Sequence, residues 1–117
     1  MFDFKKLDVY IKAKTFNHEI NHFIIENNLT IDRIIKDQLK RSSLSIALNI
    51  AEGTSRFSKK DKRNFYIISW ESTFECAAIL DILNKQLLIT DQQYKLFYSQ
   101  GEELSKILFT LIKKLSE

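Results

Sequence analysis

The chain has 117 residues, 44% of them hydrophobic and 28% charged, and a formal net charge of +3. That balance describes a single globular domain over residues 1–117 with its own core, and excludes disordered and collagen-like chains. No stretch approaches the ~20 apolar residues that cross a bilayer, the lone cysteine excludes an intrachain disulfide, and Met1–Lys6 lacks a signal peptide's apolar run, so the expected setting is the cytoplasm, away from membrane.

Breakers are scarce: there is no proline, and glycine occurs only at 53 and 101. Such a chain predicts long helices joined by short turns. The first helix is expected from about Lys5 to Asn27, because Phe2, Val9, Ala13, Phe16, Ile20 and Phe23 recur at helical spacing on one face. Asn27-Asn28 reads as a left-handed stop.

Within this helix His18-Glu19-Ile20-Asn21-His22 spells H-E-x-x-H. In zinc proteases that spacing aims two imidazoles at one metal and supplies a glutamate as general base. Here the two histidines are the only ones in the chain, a third ligand would have to come from Glu26 or a distant acid, and both point away from the apolar stripe. They read as incidental surface histidines, with no metal or cofactor expected. The single E-x-x-H also lacks the second copy that a di-iron bundle requires.

Thr30 is the expected N-cap of the second helix, whose stripe is Ile35, Leu39, Ile46 and Ile50. Gly53 sits where this helix should end, able to take a positive φ. Ser58 follows as the N-cap of the third helix, with Asp61 in its first turn to complement the helix dipole. Glycine stop and serine start make a corner between antiparallel helices. A phosphate-binding loop would instead follow a strand and carry several glycines.

The third helix is expected to bury Phe65, Ile68, Ser72, Cys76, Ile79, Leu83 and Leu87. On that stripe Cys76 reads as an inert packing residue. Thr90-Asp91-Gln92-Gln93 is a capping box for the fourth helix, which carries a heptad through Tyr94, Phe97, Gly101, Leu104, Leu108, Leu111 and Leu115. Gly101 lies on that stripe and predicts a close helix approach. The fold class is all-α, an antiparallel up-down-up-down four-helix bundle. No nucleophile-and-base set can be assembled from it, and no catalytic residue is expected.

Two helices are apolar on a second side. Leu44, Leu48 and Ala51 fall opposite the stripe of the second helix, and Ile67, Trp70, Phe74 and Ala77 fall away from that of the third. One small bundle offers one core, so Leu44, Leu48, Ile67, Trp70 and Phe74 are the expected contacts between copies of the chain. The plainer alternative is a stripe that broadens toward the bundle centre. Arg41, Ser45, Asn49 and Glu52 form a polar line between the two faces of the second helix. Arg41 is expected to pair with Glu71 or Glu75, and Glu52 with Lys62 or Arg63, as register-setting ion pairs.

Charge is unevenly spread. Residues 32 to 63 hold nine cations against four acids, which favours a polyanionic partner. The candidates for nucleic-acid contact are Arg56, Lys59, Lys60, Lys62 and Arg63 at the corner, joined by Lys36 and Lys40.

The stretch QLKRSSLSIALNIAEGTSR, Gln38 to Arg56, resembles the 23S rRNA intervening-sequence proteins. The likeness extends to FKKLDVYIKA near the start, SWESTFE in the third helix and ELSKILFTLIKKL at the end. It covers nearly the whole chain, and the A-E-G corner after a basic Q-L-[KR]-R-S segment is its most specific part. The resemblance implies an up-down bundle without known catalytic activity, often assembled as a ring of five. A related branch, the accessory protein of diversity-generating retroelements, is thought to bind nucleic acid and a reverse transcriptase. The matching positions here are Lys40, Arg41, Asn49, Glu52, Gly53 and Arg56. Trp70 departs from the family, which more often has a small residue before that serine. Residues and resemblance together predict a non-enzymatic homo-oligomer that binds RNA or DNA backbone. The rival expectation is a protein-interaction scaffold with no nucleic-acid role.

Overall fold

The computed structural model describes residues 1–117: a short 3-10 turn at Asp3–Lys6, then α1 Asp8–Glu26, α2 Arg33–Thr54, α3 Lys59–Lys85 and α4 Asp91–Leu115. Each helix packs antiparallel to the next, and α4 closes against α1, in a bundle 44 × 25 × 22 Å across. Phe16, Ile20 and Phe23 of α1, Leu39, Ile46 and Ile50 of α2, Leu80 and Leu83 of α3, and Leu104 and Leu108 of α4 are sealed from solvent. Phe97 of α4 packs edge-on to Phe16 and Phe23, at centroid distances of 6.5 and 5.7 Å.

Two of the expected caps are present. The Ser58 hydroxyl accepts from the Asp61 N–H at 3.0 Å. Thr90 and Gln93 form the reciprocal capping box, with the Gln93 N–H donating to Thr90 Oγ1 at 3.1 Å. The second helix differs. Asp32, not Thr30, caps it by accepting from the Ile34 N–H, while the Thr30 hydroxyl turns back to the Asn27 carbonyl. Burial of Ile31 draws the turn inward and moves the helix start two residues on. Asn27 ends α1 without a left-handed backbone, its side-chain Nδ2 donating to the Phe23 carbonyl at 2.8 Å.

The residue that does adopt a left-handed backbone is Leu87, at φ 61°. The Leu88 N–H reaches the Leu83 carbonyl at 3.0 Å, so α3 ends in a Schellman turn with leucine where glycine usually sits. Leu87 is almost fully exposed, so its side chain contributes little packing. Leu87→Gly is therefore expected to raise stability by about 1 kcal/mol, read as a higher denaturation midpoint.

The face that α3 buries is rotated from the expected one. Ser72, Cys76 and Leu83 are buried as expected, but Ser69, Thr73 and Leu80 are buried with them, whereas Ile68 and Leu87 are exposed. Small side chains let α2 and α3 approach closely, and their hydroxyls find partners across the seam. Ser69 donates to the Ile46 carbonyl at 2.8 Å, Ser72 to Ser45 Oγ at 2.9 Å, and Ser42 lies 3.1 Å from the Cys76 sulfur. Each hydroxyl is satisfied, so burying it carries little penalty.

These contacts, rather than ion pairs, set the register. Arg41 bonds Gln38 on its own helix, and neither Arg41 nor Glu52 forms an inter-helix ion pair. Arg41, Glu52, Glu71 and Glu75 all lie exposed, where an ion pair gains little over hydration.

Both glycines play other parts than expected. Gly53 lies inside α2 without a positive φ. A Cβ there would stand 2.7 Å from Tyr66 Cε1 and 3.0 Å from Phe65 Cβ. The close approach expected at Gly101 is at Gly53 instead, since nothing lies within 4 Å of where a Gly101 Cβ would be.

Candidate nucleic-acid interface

The corner between α2 and α3 sits at one end of the bundle, and the fold brings more cations to it. Asn17 of α1 donates to Ser43 of α2 at 3.0 Å, a register that, with the two helices antiparallel, puts the 3-10 turn, with Lys5 and Lys6, level with the end of α2. That turn packs on α2 directly. From the other side, Arg63 Nε donates to Ser116 Oγ at 2.6 Å, tying the first turns of α3 to the last of α4, where Lys113 and Lys114 lie.

Three segments distant in sequence thus gather Lys5, Lys6, Arg56, Lys59, Lys60, Lys62, Arg63, Lys113 and Lys114. The acids at this end are Asp3, Asp8, Glu52, Asp61 and Glu117. None of the nine cations takes part in an ion pair. Lys62 and Arg63 are half-buried and the other seven are exposed. Arg56 lies over the Phe65 ring, its guanidinium carbon 4.5 Å from the centroid, which holds it in place and leaves its donors free.

Lys36 and Lys40 are not brought to this cluster. Lys36 is at the opposite end, where its ammonium donates to the Asn28 carbonyl at 2.7 Å and to Asn28 Oδ1 at 2.8 Å. Lys40 is exposed on α2, about 24 Å along the helix from Arg56. Of the family-matching positions, Asn49 folds back on Ser45, with Nδ2 donating to its carbonyl at 2.8 Å, and Glu52 is exposed. The sequence reading omitted Lys5, Lys6, Lys113 and Lys114. Their signal was present, because an up-down bundle places the start of the first helix and the end of the fourth beside the second corner.

The five apolar candidates for contact between copies divide between two places. Leu44 and Leu48, 44% and 50% exposed, lie on the outward side of α2. Ile67, Trp70 and Phe74 lie on α3 toward α4, and Phe109 of α4 joins them. The Trp70 ring is 4.7 Å from that of Phe74 and 6.4 Å from that of Phe109. Beside these rings is a cleft of about 210 Å³, lined by Thr73, Phe74, Ala77, Tyr98, Gly101, Glu102 and Ser105. Phe109 lies off the α4 heptad, so the pattern of the core did not point to it.

His18 and His22 are exposed, as expected, and Glu19 between them is half-buried. With Glu26, Gln93, Leu96 and Phe97 they line a groove of about 340 Å³ between α1 and α4. Glu19 Oε2 accepts from Gln100 Nε2 at 2.7 Å, and His22 Nε2 is 2.7 Å from Glu26 Oε1. No three His, Cys, Asp or Glu side chains converge as metal ligands would. Cys76 is sealed in the core, and burial pushes its thiol up to about 12, so little thiolate is available near neutral pH. No helix is long and apolar enough to cross a membrane.

Residues 5–110 match the family model described as 23S rRNA-intervening sequence protein. Among solved structures, the chain is similar to a protein of unknown function from the S23 ribosomal protein family of Bacteroides thetaiotaomicron VPI-5482. The two share 28% identity at a TM-score of 0.84, over 90% of this chain and 98% of that one. No curated relative matches. With the bundle's four helices and nearly all of its length accounted for by the one model, the chain belongs to the 23S rRNA-intervening sequence protein family.

Proposed function

We propose that this protein is a non-enzymatic homo-oligomer that binds RNA or DNA backbone through the basic end of its bundle. The observation that carries the reading is the gathering of nine cations from three separate segments, none of them in an ion pair. Intramolecular partners would spend that charge. Left free, it suits phosphate groups, whose contacts are independent of base sequence and release counterions.

The test is binding of a labelled RNA across a salt series. A surface that neutralises about six phosphates of a duplex gives a log–log slope near −5 and an affinity loss of about 1,000-fold from 50 to 200 mM salt. No binding at low salt would leave the protein-scaffold reading in its place.

Oligomerisation rests on the two apolar faces. They do not overlap, so a copy using both makes head-to-tail contacts, which close into rings when the rotation permits. A ring repeats the basic end in each subunit and multiplies a weak contact by avidity. Light scattering is expected to give a multiple of the 13.8 kDa chain mass. Leu48→Glu and Phe74→Glu should each dissociate the assembly. Mixed together they should recover a one-to-one dimer, since each retains the face the other has lost. If both variants keep the parent mass, the assignment of these faces fails.

A further inference from the structure

We infer that Phe57 is a base-stacking platform that directs the basic end toward single-stranded nucleic acid. This rests on the proposed binding of nucleic acid at that end, and names the class of strand. Phe57 is fully exposed, at 105% of its reference surface. It lies in the four-residue link between α2 and α3, with Arg56 before it and Lys59 and Lys60 just beyond Ser58.

The link does not need the ring. Its path is held by the Ser55 N–H on the Glu52 carbonyl at 3.2 Å, the Arg56 N–H on the Gly53 carbonyl at 3.1 Å, the Ser55 hydroxyl on Glu52 O at 2.7 Å, and the Ser58 cap. A single exposed apolar side chain is ordinary on a protein surface. This one differs in its surroundings. Every polymer that the adjoining cations attract must bring its phosphates within reach of the ring.

A duplex keeps its base faces stacked inside and presents the ring with backbone alone. A single strand presents phosphates for Arg56, Lys59 and Lys60 together with an unstacked base for Phe57. A lipid surface would also supply anionic groups, but rewards a broad apolar face. The link offers one ring among serines and cations.

The experiment compares wild type, Phe57→Ala and Phe57→Leu, using an unstructured 20-nucleotide RNA and a duplex of equal length. A second RNA carries one 2-aminopurine, whose emission falls on stacking. Wild type is expected to prefer the single strand and to quench the probe. Phe57→Ala is expected to bind the single strand about tenfold more weakly, to bind duplex within about twofold of wild type, and to leave the probe unquenched. Its salt slope and melting temperature should be unchanged, because no cation or buried contact is removed. Equal binding of both strands by wild type and Phe57→Ala overturns the stacking role while leaving backbone binding intact. A Phe57→Leu variant indistinguishable from wild type overturns it too, replacing stacking with greasy contact. Loss of binding to phosphatidylserine vesicles in Phe57→Ala, with RNA binding untouched, reassigns the ring to lipid. Absence of RNA binding by wild type at low salt removes the underlying function as well.

Discussion

Gly53→Val is expected to destabilise the bundle by about 3 kcal/mol, lowering its melting temperature by roughly 12 °C. The first new carbon would already stand 2.7 and 2.8 Å from the Tyr66 ring and 3.0 Å from Phe65 Cβ. Tyr66 is buried, and its hydroxyl lies 2.9 Å from Thr54 Oγ1, so the ring cannot move without breaking that hydrogen bond. Phe65 Cβ cannot move without the backbone of α3. Gly53→Ala is the sharper experiment, because two effects oppose each other. Alanine inside a helix should gain about 1 kcal/mol over glycine, whereas overpacking loses about 1–3. We expect net destabilisation by about 1 kcal/mol. In a Tyr66→Leu background the same substitution should become stabilising. Denaturant midpoints for the four proteins of that cycle decide it, and a stabilising Gly53→Ala in the wild-type background would falsify the close-approach account.

Gly53 also marks where sequence stops being sufficient. The residue type and position were legible, but not the reason, since a helix-ending glycine and a glycine under a neighbouring ring look alike in one dimension. Ser58 and Thr90 were legible because a cap is a local transaction among four residues. Leu87 was not, because no propensity favours leucine in a left-handed turn. Its conformation follows from where α3 must stop so that α4 can turn back.

The inward rotation of α3 was hidden for a related reason. Hydrophobicity favours Ile68 over Ser69 as the buried residue, but Ser69 is small and has the Ile46 carbonyl waiting across the seam. Closeness of backbones outweighed greasiness of side chains at that level. Of the second apolar faces of α2 and α3, Leu44, Leu48 and Phe74 lie at the surface, whereas Ile67 and Trp70 are half-buried and Trp70 packs against the core. The sequence pattern could not tell that the two faces lie on separate sides, which depends on how the helices turn about their own axes. The basic site was half legible. The corner residues are contiguous and stand out, whereas Lys5, Lys6, Lys113 and Lys114 join them only through topology. Lys36 shows the converse, close enough in sequence to be grouped with the corner and placed by α2 at the far end.

Reversing three charges at the basic end, Lys59/Lys60/Lys62→Glu, is expected to weaken RNA binding at 100 mM salt on the order of 100-fold or more. It should also flatten the log–log salt slope by about three. The control is Arg33/Lys85/Lys95→Glu at the opposite end of the bundle. Each triple reversal lowers the net charge of +3 by six, so a contribution from net charge alone would weaken both proteins alike. The bundle is 44 Å long and the screening length in 0.1 M salt is about 10 Å, so reversed charges at the far end should change affinity by no more than about threefold. Melting temperatures of both variants keep folding separate from binding, since Lys62 is half-buried and a glutamate at position 85, in the last turn of α3, opposes the helix dipole. Lys59 and Lys60 open α3 beside the Ser58 cap, where glutamates complement the helix dipole and should leave stability equal or slightly higher. Equal weakening of both variants would assign the binding to overall charge rather than to a built surface. An unchanged slope in the first variant would remove Lys59, Lys60 and Lys62 from the phosphate contacts.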